Sequence, residues 1–103
     1  FGLKPAFVDD SGDFASLDTG ATALSFCTLS LLAQMGKTPG RPDPAHPCFE
    51  IALTTPDVPA ALERALAAGA SLVQAPAQMS WGQTVAYVTD PDGFWIELCT
   101  PMG

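Results

Sequence analysis

Trp81-Gly82-Gln83-Thr84-Val85-Ala86-Tyr87-Val88-Thr89-Asp90-Pro91-Asp92-Gly93-Phe94-Trp95-Ile96-Glu97-Leu98-Cys99 is the stretch that decides the fold. Two apolar runs rich in β-branched and aromatic residues flank Asp90-Pro91-Asp92-Gly93. Asp90 can bond its own backbone two residues on, Pro91 presets φ at the second turn position, and Gly93 takes the left-handed conformation that closes such a loop. The stretch is therefore a β-hairpin. In its second strand Trp95, Glu97 and Cys99 point one way and Phe94, Ile96 and Leu98 the other. Glu97 thus sits mid-strand between apolar neighbours, where a lone carboxylate is costly unless a metal, a cation or a donor meets it.

Upstream, Cys48 to Thr54 alternates as a strand, with Phe49, Ile51 and Leu53 on one face and Cys48, Glu50 and Ala52 on the other. Asp57 is a good N-cap for a following helix, and Pro59 is tolerated in its first turn. Val58, Ala61, Leu62, Ala65 and Leu66 recur at helical spacing, while Glu63 and Arg64 face water, and Gly69 ends the helix. Ser71 to Gln74 is the next strand, and 75–80 is a Pro-containing loop leading into the hairpin. The second half therefore reads strand, helix, strand, strand, strand.

The first half is thinner. Phe1-Gly2-Leu3-Lys4-Pro5 has the pattern of a helix exit, with Gly2 after the last turn and Pro5 blocking continuation. Strands are expected over Ala6–Asp9, Phe14–Leu17 and Ala21–Thr28, separated by turns at 10–13 and 18–20. Leu29 to Gly36 fits either a strand extension or one or two helical turns. Pro39, Gly40, Pro42, Pro44 and Pro47 then forbid a helix or inner strand over 37–47, which makes that segment a linker. The halves form a weak internal repeat, since Asp18-Thr19-Gly20 precedes an apolar strand as Asp90 to Gly93 does. The organisation expected is a partial first module over 1–36, the linker over 37–47 and a full second module over 48–103.

Length and composition narrow the function. A chain of 103 residues, 48% apolar, makes one domain or half of a larger closed unit, with no membrane-length apolar run. Four basic against eleven acidic residues give a net charge of −7, which disfavours nucleic acid and suits either solubility or a cationic ligand. Cys27, Cys48 and Cys99 are an odd count without metal-type spacing, all in apolar runs; they are expected to be buried, inert thiols of a cytoplasmic protein. Ser and Thr are plentiful, but no nucleophile triad and no Gly-rich phosphate loop occurs.

Phe49-Glu50-Ile51-Ala52-Leu53-Thr54-Thr55-Pro56-Asp57-Val58, Ala67-Ala68-Gly69-Ala70 and Asp90 through Leu98, with Phe1-Gly2-Leu3 before a strand, resemble the vicinal oxygen chelate superfamily. That group includes glyoxalase I, bleomycin-resistance proteins and extradiol dioxygenases. The resemblance spans nearly the whole chain and is more specific for fold than for activity. It implies an α+β fold of paired βαβββ modules forming a curled mixed sheet, often closed by two chains, hence a homodimer. On that pattern the first module here lacks its opening strand and helix. In metal-dependent members, inward-facing side chains converge on one divalent ion. The last-strand carboxylate of that set matches Glu97, and a position commonly held by His falls on Glu50. The corresponding place in the first module falls near Leu24 when Gly20 is aligned with Gly93, and no carboxylate lies nearby.

Three readings of Glu50 and Glu97 stay open. They are ligands of a divalent ion (Zn, Ni, Fe or Mn), a pair meeting a cationic ligand, or fold residues satisfied by backbone, water or Gln83. Without metal, two carboxylates within a few ångströms should leave one protonated at neutral pH. Trp95 is the better aromatic wall beside them. Trp81 and Gln83 belong at the mouth, where Trp81 either stacks on a planar ligand or covers its own module. Cys48 and Cys99 share the ligand-facing side, Tyr87 and Phe14 lie half in the core, and His46, between Pro44 and Pro47, is a surface linker residue. The function expected is small-molecule binding, sequestering a cationic aromatic drug in an acidic, Trp-lined site. The alternative is a metal-dependent glyoxalase-like lyase or isomerase or a ring-cleaving dioxygenase, with Glu97 as ligand and base. A ligand-free assembly domain is the third reading.

Overall fold

The computed structural model describes residues 1–102, and the chain divides into two compact units, one of residues 2–40 and one running from Arg41 onward with Phe1. Strands β1 (Lys4–Val8), β2 (Phe14–Asp18) and β3 (Ala23–Cys27) of the first unit form an antiparallel sheet in the order β1-β2-β3. Pro5 is accommodated because β1 is an edge strand and a register shift falls between Pro5 and Phe7. Asp9 shapes the β1–β2 turn by accepting from Ser11 N at 3.1 Å, and Asp18 shapes the next by accepting from Gly20 N at 2.9 Å.

The ambiguous segment after β3 is helical: α1 spans Leu29–Gln34. Thr28 decides it. Its hydroxyl oxygen accepts from Leu31 N at 3.1 Å, and the same hydroxyl donates to Asp13 Oδ1 at 2.9 Å, so the cap is itself anchored to the β1–β2 turn.

In the second unit, β4 (Glu50–Thr54), β5 (Ser71–Gln78), β6 (Thr84–Thr89) and β7 (Trp95–Cys99) form one sheet in the order β4-β7-β6-β5. The β4–β7 pair is parallel and the other pairs are antiparallel. The helix α2 (Val58–Ala67) crosses between β4 and β5, which completes the expected strand, helix, strand, strand, strand order. Asp57 caps it, accepting from Ala60 N at 3.1 Å. At its other end Ala70 N donates to Ala65 O at 3.0 Å across Gly69, whose φ of +110° continues no helix.

The core lies between α2 and one face of this sheet: Val58, Ala61 and Leu62 meet Ala86, Val88 and Leu98, with Ala70 and Ile96 at the margin. Removing side chains of the Val and Leu kind from water contributes about 1.5–3 kcal/mol each, which is what fixes α2 to the sheet. Leu66 falls outside this stripe and is 39% exposed. It lies eight residues after Val58, about 80° round the helix at 3.6 residues per turn.

Two further expectations need correction. Strand β5 runs on to Gln78, through residues read as a loop from their proline. It is an edge strand, and its register shifts between Gln74 and Ala77, so Pro76 breaks no regular ladder. Nor are the cysteines all buried, for Cys27 and Cys48 are exposed and only Cys99 is enclosed. Cys27 ends an edge strand, and Cys48 precedes β4, which begins at Glu50.

Candidate functional site

Alternation along β4, β6 and β7 sends Ile51, Leu53, Ala86, Val88, Ile96 and Leu98 toward α2, and Glu50, Tyr87, Trp95, Glu97 and Cys99 to the opposite face. Registration does the rest. Glu97 is paired with Ala52 on one side and Tyr87 on the other, while Trp95 is paired with Glu50 and Thr89. Glu50 and Glu97 are therefore diagonal neighbours across the parallel pair, a separation that long side chains span. The Tyr87 and Trp95 rings form the other diagonal, with centroids 5.6 Å apart and planes tilted by 53°.

The carboxyl of Glu50 is raised above the usual carboxylate range. Glu50 is an exposed residue, and partial loss of water around its carboxyl is the largest cause, followed by hydrogen-bonding contact with Glu97 and the repulsion of that neighbour's charge; the Tyr87 hydroxyl acts in the opposite direction. Tyr87 is in turn pushed up by burial and by both carboxylates. Cys99 is raised by burial and by Glu97, so its thiol stays protonated and a poor nucleophile. These groups form one coupled acidic cluster. Arg64, the only Lys or Arg after residue 41, lies on α2 beyond the other face of the sheet.

Other residues singled out from the sequence are placed as follows. Trp95 Nε1 donates to the Pro44 carbonyl at 2.8 Å, so the proline-rich segment is fastened beside the carboxylate face. Gln83 does not reach the glutamates. It accepts from Trp81 Nε1 at 2.8 Å and donates through Nε2 to the Thr100 carbonyl at 2.6 Å. Trp81 is 63% exposed, Cys99 only 4%, and the Cys99 thiol lies 3.9 Å from the Leu53 carbonyl. Cys48 stands in solvent ahead of β4, His46 is exposed, and Phe14 and Tyr87 are half-buried. Tyr87 is the partner that sequence reasoning undervalued, although counting back from the Asp90–Gly93 turn places it across from Glu97.

Among the described residues, no group of three or more His, Cys, Asp or Glu side chains converges as metal ligands do. Two carboxylates fall short of the three protein donors usual at a catalytic divalent ion. The donor set on this face does not fit a resident metal.

Residues 1–98 match the model of the Glyoxalase/Bleomycin resistance protein/Dioxygenase superfamily. The chain belongs to that superfamily. Its α+β fold of curled sheets, expected from the sequence, is that of its structural relatives. A glyoxalase-related enzyme from Fulvimarina pelagi is 23% identical with a TM-score of 0.81, covering 97% of this chain and 71% of its own. A glyoxalase/bleomycin resistance protein/dioxygenase family enzyme from Burkholderia phytofirmans PsJN is 25% identical with a TM-score of 0.71, covering 97% and 80%. A bleomycin resistance determinant encoded on the transposon Tn5 is 24% identical with a TM-score of 0.62, covering 96% and 78%. No curated protein matches the chain. Among the described residues of this superfamily member, no helix is long and apolar enough to cross a membrane.

Proposed function

We propose that this chain is a small-molecule binding protein of the glyoxalase/bleomycin-resistance type, holding a cationic, planar ligand against the Glu50–Glu97 face. One observation carries the reading: two interacting carboxylates, with Tyr87 and Trp95 beside them and no basic side chain on their strands. Bringing two carboxylates together is unfavourable without a counter-charge, and a ligand cation relieves that repulsion. A flat ring adds overlap with the aromatic walls. The net charge of −7 favours approach of such a ligand at low salt.

Isothermal titration with a bleomycin-type glycopeptide at low salt tests this. Heat that disappears in Glu50→Gln and Glu97→Gln supports it, and absence of heat with the wild-type protein sinks it. Metal analysis of protein purified without chelator separates the other reading. Stoichiometric Zn, Ni, Fe or Mn, lost in Glu97→Gln, would instead support a metal-dependent lyase or isomerase or a ring-cleaving dioxygenase. We take the binding form to be a cytoplasmic homodimer, which light scattering on the purified protein checks.

A further inference from the structure

Trp81 presents a physical puzzle, because a large apolar ring left 63% exposed gains little from its own fold, yet it is tied down. Its N–H donates to Gln83 Oε1, and Gln83 Nε2 donates onward to the Thr100 carbonyl. Thr100 is fixed in turn: Thr84 N donates to its hydroxyl at 3.0 Å, and Thr100 N donates to the Thr84 carbonyl at 3.0 Å. The loop beneath is closed by Met79 N donating to the Gln83 carbonyl at 2.7 Å and Gly82 N donating to that of Met79 at 3.0 Å. An exposed indole is thus bound through a relay to the residue that follows Cys99.

We propose that Gln83 is a positioning residue that holds the Trp81 indole as a fixed stacking platform for the planar part of the ligand. This rests on the binding function proposed above. An amide side chain accepts at one end and donates at the other without a change of protonation, as the relay requires. A carboxylate there would face the Thr100 carbonyl lone pairs, and an apolar chain would do neither job. With the indole N–H engaged, the ring faces are what Trp81 offers, so recognition is by overlap with a flat, electron-poor ring and not by hydrogen bonding. The tether ends at Thr100, three residues beyond Glu97, which is about 10 Å along the chain from that residue at the usual strand rise.

The probe is the N-methylacridinium cation, flat and charged, titrated calorimetrically into the full chain. Trp81→Ala is expected to weaken binding about 3- to 30-fold, the range of a cation–π contact. Gln83→Met is expected to weaken it in wild type but to add nothing in a Trp81→Phe background, because a phenyl ring has no N–H to hold. In a Trp95→Phe background, where Trp81 is the only tryptophan, Gln83→Met should lower the fluorescence anisotropy of Trp81 while the melting curve stays cooperative. Equal losses from Gln83→Met in both backgrounds, or unchanged anisotropy, overturn the positioning role. Full binding by Trp81→Ala, together with loss in Glu97→Gln, overturns the platform and leaves the carboxylate site standing. No binding to the wild-type protein overturns both.

Discussion

Tyr87 and Glu97 face each other directly across the β6–β7 ladder, and the Tyr87 hydroxyl also acts on Glu50, one strand beyond Glu97. The phenol therefore stands in the field of both carboxylates, and its own pKa is raised by them and by burial. Replacing it isolates that interaction. In Tyr87→Phe the hydroxyl that favours ionised Glu50 is gone, so the Glu50 titration should move further up. Carboxyl carbon shifts followed by NMR across the acid range provide the measurement, and an unchanged or lower midpoint refutes the coupling.

The same group makes stability depend on pH. Glu50 is raised in the folded chain relative to the unfolded one, so between the two values the folded state holds more protons. Its contribution is fully present below the unfolded value and is lost as pH rises through the folded one. Urea melts from about pH 4 to pH 7, spanning an ordinary carboxylate and a raised one, should show this loss, and Glu50→Gln should remove it. If wild type and variant change in parallel across that window, Glu50 is not the group responsible.

Leu98 is fully buried between α2 and the sheet. Leu98→Ala should cost about 2–5 kcal/mol by lost transfer and by the cavity left behind. An unfolding free energy lowered by less than about 1 kcal/mol would mean the site collapses around the smaller residue.

Asp57 supplies the side-chain acceptor at the start of α2, and Asp57→Ala should lower stability by about 1 kcal/mol. Asp57→Asn should retain most of it, and thermal melts of the two variants side by side separate capping from charge.

Gly93 and Gly20 both adopt positive φ, +98° and +93°, but a Cβ at Gly20 meets open space. One at Gly93 would lie 3.5 Å from Pro44 Cδ and 3.6 Å from Pro42 Cγ. Both alanine variants should lose about 1–2 kcal/mol to the left-handed conformation. The two prolines stand at ordinary contact distance, so Gly93→Ala should cost little more than Gly20→Ala. A much larger loss at Gly93 would show that 42–44 cannot yield to a methyl group.

The sequence exposes those parts of the molecule whose cause is local. Alternation through Trp95 to Cys99, the Asp90–Gly93 turn and the Asp57 cap each act within a few residues, so the second unit's element order and the shared face of Glu50 and Glu97 were legible. What escaped depends on remote partners. The anchoring of Thr28 by Asp13 settles α1, the edge position of β5 admits Pro76, and the acceptor for Trp95 lies 51 residues away at Pro44. Gln83 escaped for a related reason: its type suits a ligand as well as a tether, and only the position of the Thr100 carbonyl tells them apart.

The tie between Trp95 and Pro44 gives the carboxylate face a built-in reporter. A guest that levers that indole aside breaks its grip on the strap, and the strap's next amides, Ala45 and His46, are themselves bonded to Asp43. Their backbone resonances should register an arriving molecule even when the molecule touches neither residue.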